Sequence, residues 1–387
     1  MFKAGTVVSR DPISKSAGER LGEALLERLD GQAPSVCWLF STPSQELKGL
    51  VRGVVRSVGN SHLLGCTTDA EISTAGLSTG SVVLCGVATD QIRFHFASAK
   101  RLHQDSGRAG KRLAKQLPST VRYVQIFSDG LTGNGCALLR GLSSALGRHV
   151  PVAGGTAGDA GAFRSTSQFF GTKLFSDSVV AVGFEGDFAI GMGVQSGWSP
   201  IGIAKKVTKA SGNIVYELNG QPALEVYERF LGKHADKLPA VGVEYPLGLV
   251  HKLEGATEEE YHILRATMAV NREDGSIAFA GEIPEGSMVR LTCGDHASIL
   301  EAAERAACLA ITELENRSPA IAFFYSCMAR RIVLGRRTKE EIDRIRLAVG
   351  AELPIVGFYT YGEFCRVACN GPNLFHNETA SVSVIGL

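Results

Sequence analysis

Short apolar runs alternate along this chain with stretches whose apolar residues recur every three or four positions, a pattern that predicts strands and amphipathic helices in turn. The run at 5–8 predicts a strand, and Leu21, Ala24, Leu25 and Leu29 share one face of a helix. The strand 36–40 follows, ended by Ser41, Thr42 and Pro43, and a second helix carries Leu47, Leu50, Val51, Val54 and Val58. The strand at 81–86, SVVLCG, completes a first unit. Thr89 and Asp90 read as a hairpin turn into 93–96, where a second unit begins. It runs through a polar helix ending near Leu117 and Pro118, the strand 123–127, and a helix with Leu138, Leu142 and Ala145 on one side. Its last strand, SVVAVG at 178–183, nearly repeats the letters at 81–86. A third unit is read from the strand 288–293 onward. Asp295 is placed to cap a helix bearing Ile299, Ala303, Ala306, Ala310 and Leu314. The strand 320–326, a helix with Ile342, Ile345 and Val349 closed by Gly350, and the strand 381–386 complete it.

Before its last strand each unit carries a loop of one grammar. At 354–364 it reads PIVGFYTYGEF: an apolar run, a glycine that breaks it, polar and aromatic residues, then a carboxylate after a small residue. The same order stands at 63–71 around Gly65 and Glu71, and one residue shorter at 151–159 around Gly154 and Asp159. Three copies of one unit are therefore expected, each presenting a polar loop at the end of a strand. The fold class this predicts is α/β, with repeated strand-helix-strand-helix units forming mixed sheets. In such sheets ligands collect at the carboxyl ends of the strands, where these loops lie.

Residues 187–287 break the pattern. Turn signals at Gly186-Asp187, Asn219-Gly220, Asp274-Gly275 and Glu285-Gly286 separate strand-like runs, and Pro222 suits the first turn of a helix through Leu231. Two domains follow: 1–190 with two units, and 191–387 with a hairpin-rich insertion at 191–287 and the third unit.

Bulk composition narrows the classes. In 387 residues, 39 acidic side chains nearly cancel 40 basic ones and no long basic run exists, which excludes an electrostatic footprint for nucleic acid or an anionic membrane. The start of the sequence lacks the apolar core of a signal peptide and no stretch is long enough to span a bilayer, so a cytoplasmic protein is expected. Nine cysteines without tight spacing read as reduced thiols; Cys365, Cys369 and His376 are better read as incidental than as a zinc site.

Taken together, GCTTDAEI (65–72), VPVAGGTAGD (150–159), GWSPIG (197–202), NIVYELNGQPALEVYERFLG (213–232), YPLG (245–248), GEIPEGSMVRL (281–291), SCMARRIVLG (326–335), GFYTYGEF (357–364) and HNETASVSV (376–384) resemble the FIST family (F-box and intracellular signal transduction proteins). The resemblance runs end to end and implies an N-terminal and a C-terminal FIST domain in an intracellular sensor of small ligands, for which amino acids have been suggested. One bacterial branch binds haem b and senses nitric oxide, signalling to a histidine kinase or to the diguanylate cyclases and phosphodiesterases of cyclic-di-GMP turnover. A haem-based nitric oxide sensor is the leading expectation, and a haem-free metabolite-binding module the alternative.

Sensing a small polar ligand needs fixed donors and acceptors in a concave site more than a nucleophile. In the C-terminal half the candidates are Arg265, Cys327, Arg330, Tyr361, Gly362, Glu363 and Tyr245. Two arginines and a carboxylate suit an amino acid, although an internal salt bridge of Glu363 with an arginine fits the same residues. In the N-terminal half Thr68, Glu71, Asp129, Asn134 and Asp159 are the comparable rim residues, with Asp129 read mainly as a helix cap. Haem would need an axial ligand, and His251, His262 and His376 are the alternatives. Cys327 beside Arg330 and Arg331 has the makings of a nucleophile, but no histidine is assignable as its base, so a binding protein is expected rather than an enzyme.

Overall fold

The computed structural model describes residues 1–59, 62–252 and 260–387. Its three repeated units share one strand order. In unit one Phe2–Ser9 pairs antiparallel with Val82–Thr89, which pairs with Val36–Ser41, which runs parallel to Leu63–Thr67. Unit two repeats this with Ile92–Lys100, Ser178–Gly186, Tyr123–Ser128 and Val152–Thr156. Unit three does so with Ala189–Gln195, Ala380–Gly386, Pro319–Cys327 and Ile355–Thr360.

Each sheet is completed by a hairpin lent from another unit. Ala70–Ser73 and Gly76–Ser78 of unit one extend the sheet of unit three. Gln168–Phe170 and Lys173–Phe175 of unit two extend unit one. Glu363–Arg366 and Asn373–His376 of unit three extend unit two. The loan runs round a closed ring, so no unit completes its six-stranded sheet without another.

Register explains the recurrent glycine. Gly65, Gly154 and Gly357 occupy one position, where a Cβ would stand 1.9 Å from the Leu39 carbonyl oxygen, 2.0 Å from that of Ile126 and 1.7 Å from that of Phe324. No side chain is tolerated at such distances. Across from them stand Phe169, Phe364 and Ile72, each supplied by a lent hairpin. The neighbouring hairpin residues are Gln168, Glu363 and Glu71, so these three are equivalent. This corrects the loop grammar: Asp159 is not the counterpart of Glu71 and Glu363, because unit two inserts residues before its hairpin and fills the place with Gln168.

A second correction concerns unit three, whose first strand is Ala189–Gln195 and not 288–293. Gly191 and Gly193 let the helix His296–Thr312 lie directly on that strand, where a Cβ would be 1.7 Å from the Ala310 carbonyl oxygen and 2.0 Å from that of Ala306. Met288–Gly294 instead pairs with Trp198–Ser211 and Leu247–Lys252 in a separate eight-stranded sheet. The insertion therefore leaves unit three after its first strand and returns at its first helix. Gly191→Ala is expected to lower stability by about 1–3 kcal/mol through overpacking; an unchanged urea midpoint would contradict the close helix contact.

The inner faces of the three repeat sheets meet in one aromatic core. Trp38 lies 4.9 Å from Phe323, and Phe40 lies 4.6 Å from Phe358 and 5.3 Å from Phe127, ring centre to ring centre. The buried indole of Trp38 donates to Gln125 Oε1 at 2.8 Å, which satisfies its one polar atom. Helices cover the outer faces with Leu25, Leu50 and Val54 in unit one, Leu113 and Leu142 in unit two, and Ala306, Ile342 and Ile345 in unit three. At the loop end three backbone hydrogen bonds close a ring: the amides of Asp69, Gly158 and Tyr361 donate to the carbonyls of Tyr359, Thr67 and Thr156 at 3.1, 2.9 and 3.3 Å.

Candidate functional site

A cavity of about 840 Å³ opens at the carboxyl ends of Tyr123–Ser128, Val152–Thr156 and Pro319–Cys327. Its floor is Ser128, Asp129, Gly130 and Thr156 of unit two with Cys327, Met328, Ala329, Ile332 and Tyr361 of unit three. The insertion forms the roof through Leu238, Pro239, Ala266, Thr267, Met268 and Phe279. The volume and the largely apolar wall are those of a small-molecule site. The chain turns sharply at the rim because Gly130 is small: a Cβ there would lie 1.9 Å from the Ala157 carbonyl oxygen.

The polar groups of the rim are mostly engaged by the protein. Asp129 Oδ1 accepts from the amides of Leu131 and Thr132 at 2.9 and 3.0 Å, and its Oδ2 from the amide of Asp177 at 2.9 Å. Asn134 caps the helix Gly135–Leu146 by accepting from the Ala137 amide at 2.9 Å, and donates to Glu282 of the insertion at 2.7 Å. The Tyr361 hydroxyl donates to Asp159 and accepts from the amides of Asp159 and Gly161 at 3.1 and 3.0 Å. Asp159 also accepts from the amides of Phe163, Arg164 and Ser165 at 2.8, 2.6 and 3.0 Å. Burial pushes the Asp159 carboxyl up, but the Tyr361 hydroxyl and these amides outweigh it and hold it below the ordinary range. The segment 159–165 is thereby wrapped round Tyr361, with the Phe163 ring stacked on it at 4.6 Å.

Of the residues singled out from sequence, Asp129 and Asn134 of the N-terminal half and Cys327 and Tyr361 of the C-terminal half line this cavity. The Cys327 thiol is pushed far up by burial and then by the carboxyls of Glu363 and Glu378, so it stays protonated, unlike an activated nucleophile. Arg330 is wholly buried: its Nε donates to Glu341 at 2.7 Å, its Nη2 to the Ile299 carbonyl at 2.7 Å, and its Nη1 to the Ser196 carbonyl. Arg265 spends its guanidinium on the carbonyls of Glu282, Leu264 and Phe375 at 3.0, 3.0 and 3.1 Å. Glu363 accepts from the hydroxyls of Thr360 and Thr379, and burial raises its pKa to about 7. A buried ion pair thus exists, but it joins Arg330 to Glu341 and not to Glu363. Gly362 is in place because the Phe375 ring fills the space beside it. Tyr245 stands in the insertion with its ring 5.8 Å from that of Phe230.

The three histidines lie off the cavity wall. His251 and His262 sit on the paired strands Leu247–Lys252 and Glu260–Arg265 of the insertion, and burial lowers the pKa of His251. His376 is fully buried, with Nε2 3.1 Å from the Cys365 carbonyl oxygen, and burial drives its pKa down to about 3. Among the described residues no group of three or more His, Cys, Asp or Glu side chains is placed to hold a metal ion. Among the wall residues that the sequence did not single out are Lys237, Met268 and Met328, of which Met328 directly follows Cys327. No spacing marks the first two, because their part in the site arises only when the insertion folds over units two and three. No helix among the described residues is long and apolar enough to cross a membrane.

Residues 35–221 match the family model of the FIST N domain and 223–366 that of the FIST C domain. An uncharacterized protein of Methanocaldococcus jannaschii is 24% identical across 95% of this chain and 76% of its own. An uncharacterized protein of Mycobacterium tuberculosis is 25% identical across 99% of both chains. Among solved structures, cyanuric acid hydrolase from A. caulinodans aligns over 100% of this chain and 99% of its own at 10% identity, with a TM-score of 0.35. Two family models that together span most of the sequence decide the matter: this chain belongs to the FIST family, whose domains are signalling sensor domains.

Proposed function

We propose that the chain senses a small molecule held in the cavity between units two and three and the insertion, and that it binds its ligand without transforming it. The observation that carries this reading is the double role of the helix Met328–Leu334. Its residues Met328, Ala329 and Ile332 form the cavity floor. Its Arg330 faces the other way and ties together Ser196 and Ile299, the points where the insertion leaves unit three and rejoins it. Pressure on the floor therefore reaches the hinge of the roof through one turn of helix. Ligand affinity for the two positions of the roof must differ for such a shift to signal. A histidine kinase, diguanylate cyclase or phosphodiesterase in the cytoplasm is the partner class proposed to read it.

The test uses 1-anilinonaphthalene-8-sulfonate as a fluorescent probe of the cavity. Ala329→Phe on the floor and Ala240→Trp on the roof are each expected to weaken probe binding at least tenfold. Unchanged binding in both variants overturns the reading.

Haem is the second ligand considered, favoured by the cavity's size and by two thioethers, Met268 and Met328, in its wall. The three histidines do not reach the wall, the Tyr361 hydroxyl is engaged, and the Cys327 thiol stays protonated. The chain's own residues therefore fit haem only if Met268 or Met328 supplies the axial sulfur; bound haem would bring the iron that takes nitric oxide. Haem titration should then give a Soret band that moves with nitric oxide and changes in Met268→Leu or Met328→Leu. Absence of any band removes this reading and leaves the first intact.

A further inference from the structure

The cavity wall carries one charge that the protein does not answer. Lys237 closes the short 3₁₀ turn Gly232–Lys237 at the edge of the roof. It is exposed there and makes no hydrogen bond or ion pair among the described residues. Asp129 is the acid among the lining residues, and three backbone amides already fill its oxygens. Glu282, the carboxylate that holds the insertion to unit two, is taken by Arg140 at 2.5 Å and by Asn134. The hydroxyl of Ser106 donates to the Leu102 carbonyl and accepts from the Asn134 amide, both at 2.8 Å. That of Thr132 donates to Asp177 at 3.0 Å. A ligand entering this space meets apolar side chains over most of its surface and a free ammonium at the mouth.

Resting on the reading that the cavity binds a small molecule, we propose that its ligand is an elongated apolar carboxylate, of the kind represented by a medium-chain fatty acid, with the acid group at Lys237. The apolar body is driven in by burial against Leu238, Met268 and Phe279. A cationic head would instead face Lys237 with like charge, and a neutral head would leave the ammonium to water and gain no attraction from it. Because Lys237 keeps its water on the outer side, the pairing needs no deep burial of charge, and its contribution is moderate and falls with salt.

The experiment compares decanoate, decanol and decylamine, which share one chain, each used below its aggregation threshold to displace 1-anilinonaphthalene-8-sulfonate. Decanoate should displace the probe best, Lys237→Met should weaken decanoate about threefold with decanol unchanged, and Lys237→Arg should restore it. Decanol competing as well as decanoate, or Lys237→Met leaving decanoate unaffected, overturns the proposal about the head group while the cavity remains a binding site. Displacement by none of the three, combined with probe binding that ignores Ala329→Phe, overturns the cavity reading itself. Lys237 is exposed on a surface turn, so its variants leave the fold undisturbed, which a matching thermal midpoint verifies.

Discussion

Arg330→Met is expected to destabilise the protein by about 3–5 kcal/mol, the range for breaking a buried ion pair from one side. The loss arises because Glu341, buried with it, is left without the guanidinium that answers it. The hydroxyls of Tyr359 and Ser326 still donate to Glu341, at 2.5 and 3.1 Å, and soften the effect without removing it. The carbonyls of Ser196 and Ile299 lose their donor as well. Adding Glu341→Leu should recover a large part of the loss, since replacing both partners of a buried pair is commonly close to neutral. Urea midpoints of the single and double variants check this; a double variant no more stable than the single would show that the carbonyl tethers dominate.

Stability is also expected to fall as the pH rises from 5 to 8, through Glu71 and Glu363 and in the same sense Glu378, against a smaller gain below about pH 6.5 from His376, which burial keeps neutral in the folded state. Burial raises the Glu71 and Glu363 carboxyls to about 7 from an ordinary 4.5, although the hydroxyls of Ser81 and Thr68 on one and of Thr360 and Thr379 on the other oppose it. A folded-state pKa above the unfolded value means the stabilising form is the protonated one. Its contribution is complete below about pH 4.5 and is lost as the pH passes about 7, on the order of 3 kcal/mol for each group. Unit two already carries the neutral answer in Gln168, whose carbonyl oxygen accepts from Ser178 at 2.7 Å as Glu363 accepts from Thr379. Glu71→Gln with Glu363→Gln should therefore remove their share of the fall, leaving that of Glu378, whose carboxyl burial also raises, and exceed wild type in stability at pH 8. A wild-type midpoint constant from pH 5 to 8 would contradict the account.

Much of the fold was legible because each unit is built from local signals. The helical stripe at Leu47–Val58, the near-identical strands beginning at Ser81 and Ser178, and the recurrent glycine all report short-range geometry. The lent hairpins were not legible. Ala70–Ser73 reads from sequence as the end of a polar loop, and nothing in it names Ile355–Thr360 as its neighbour nearly three hundred positions away. Ala189–Gln195 was hidden for a different reason: glycines 191 and 193, which admit the helix, also weaken the apolar run that marks a strand.

The site divides along the same line. That a cavity lies at the carboxyl ends of strands follows from α/β architecture, and Asp129, Asn134, Cys327 and Tyr361 line it. The arginines illustrate what residue type withholds. Arg265 and Arg330 have the chemistry to bind a carboxylate, and the fold spends both on backbone carbonyls that its own hinges and turns leave unanswered. Lys237 has no neighbour in sequence that suggests a role, and gains one from the roof it edges.

Labelling the methionine methyl groups with ¹³C offers the most direct view of the cavity, since the chain has five and two of them, Met268 and Met328, stand in its wall. Met1, Met192 and Met288 stand outside that wall, Met192 packed in the central core. Addition of decanoate should shift the Met268 and Met328 resonances in proportion to occupancy and leave the other three in place. Shifts at Met1, Met192 or Met288 with Met268 and Met328 unmoved would place the ligand elsewhere and contradict the account.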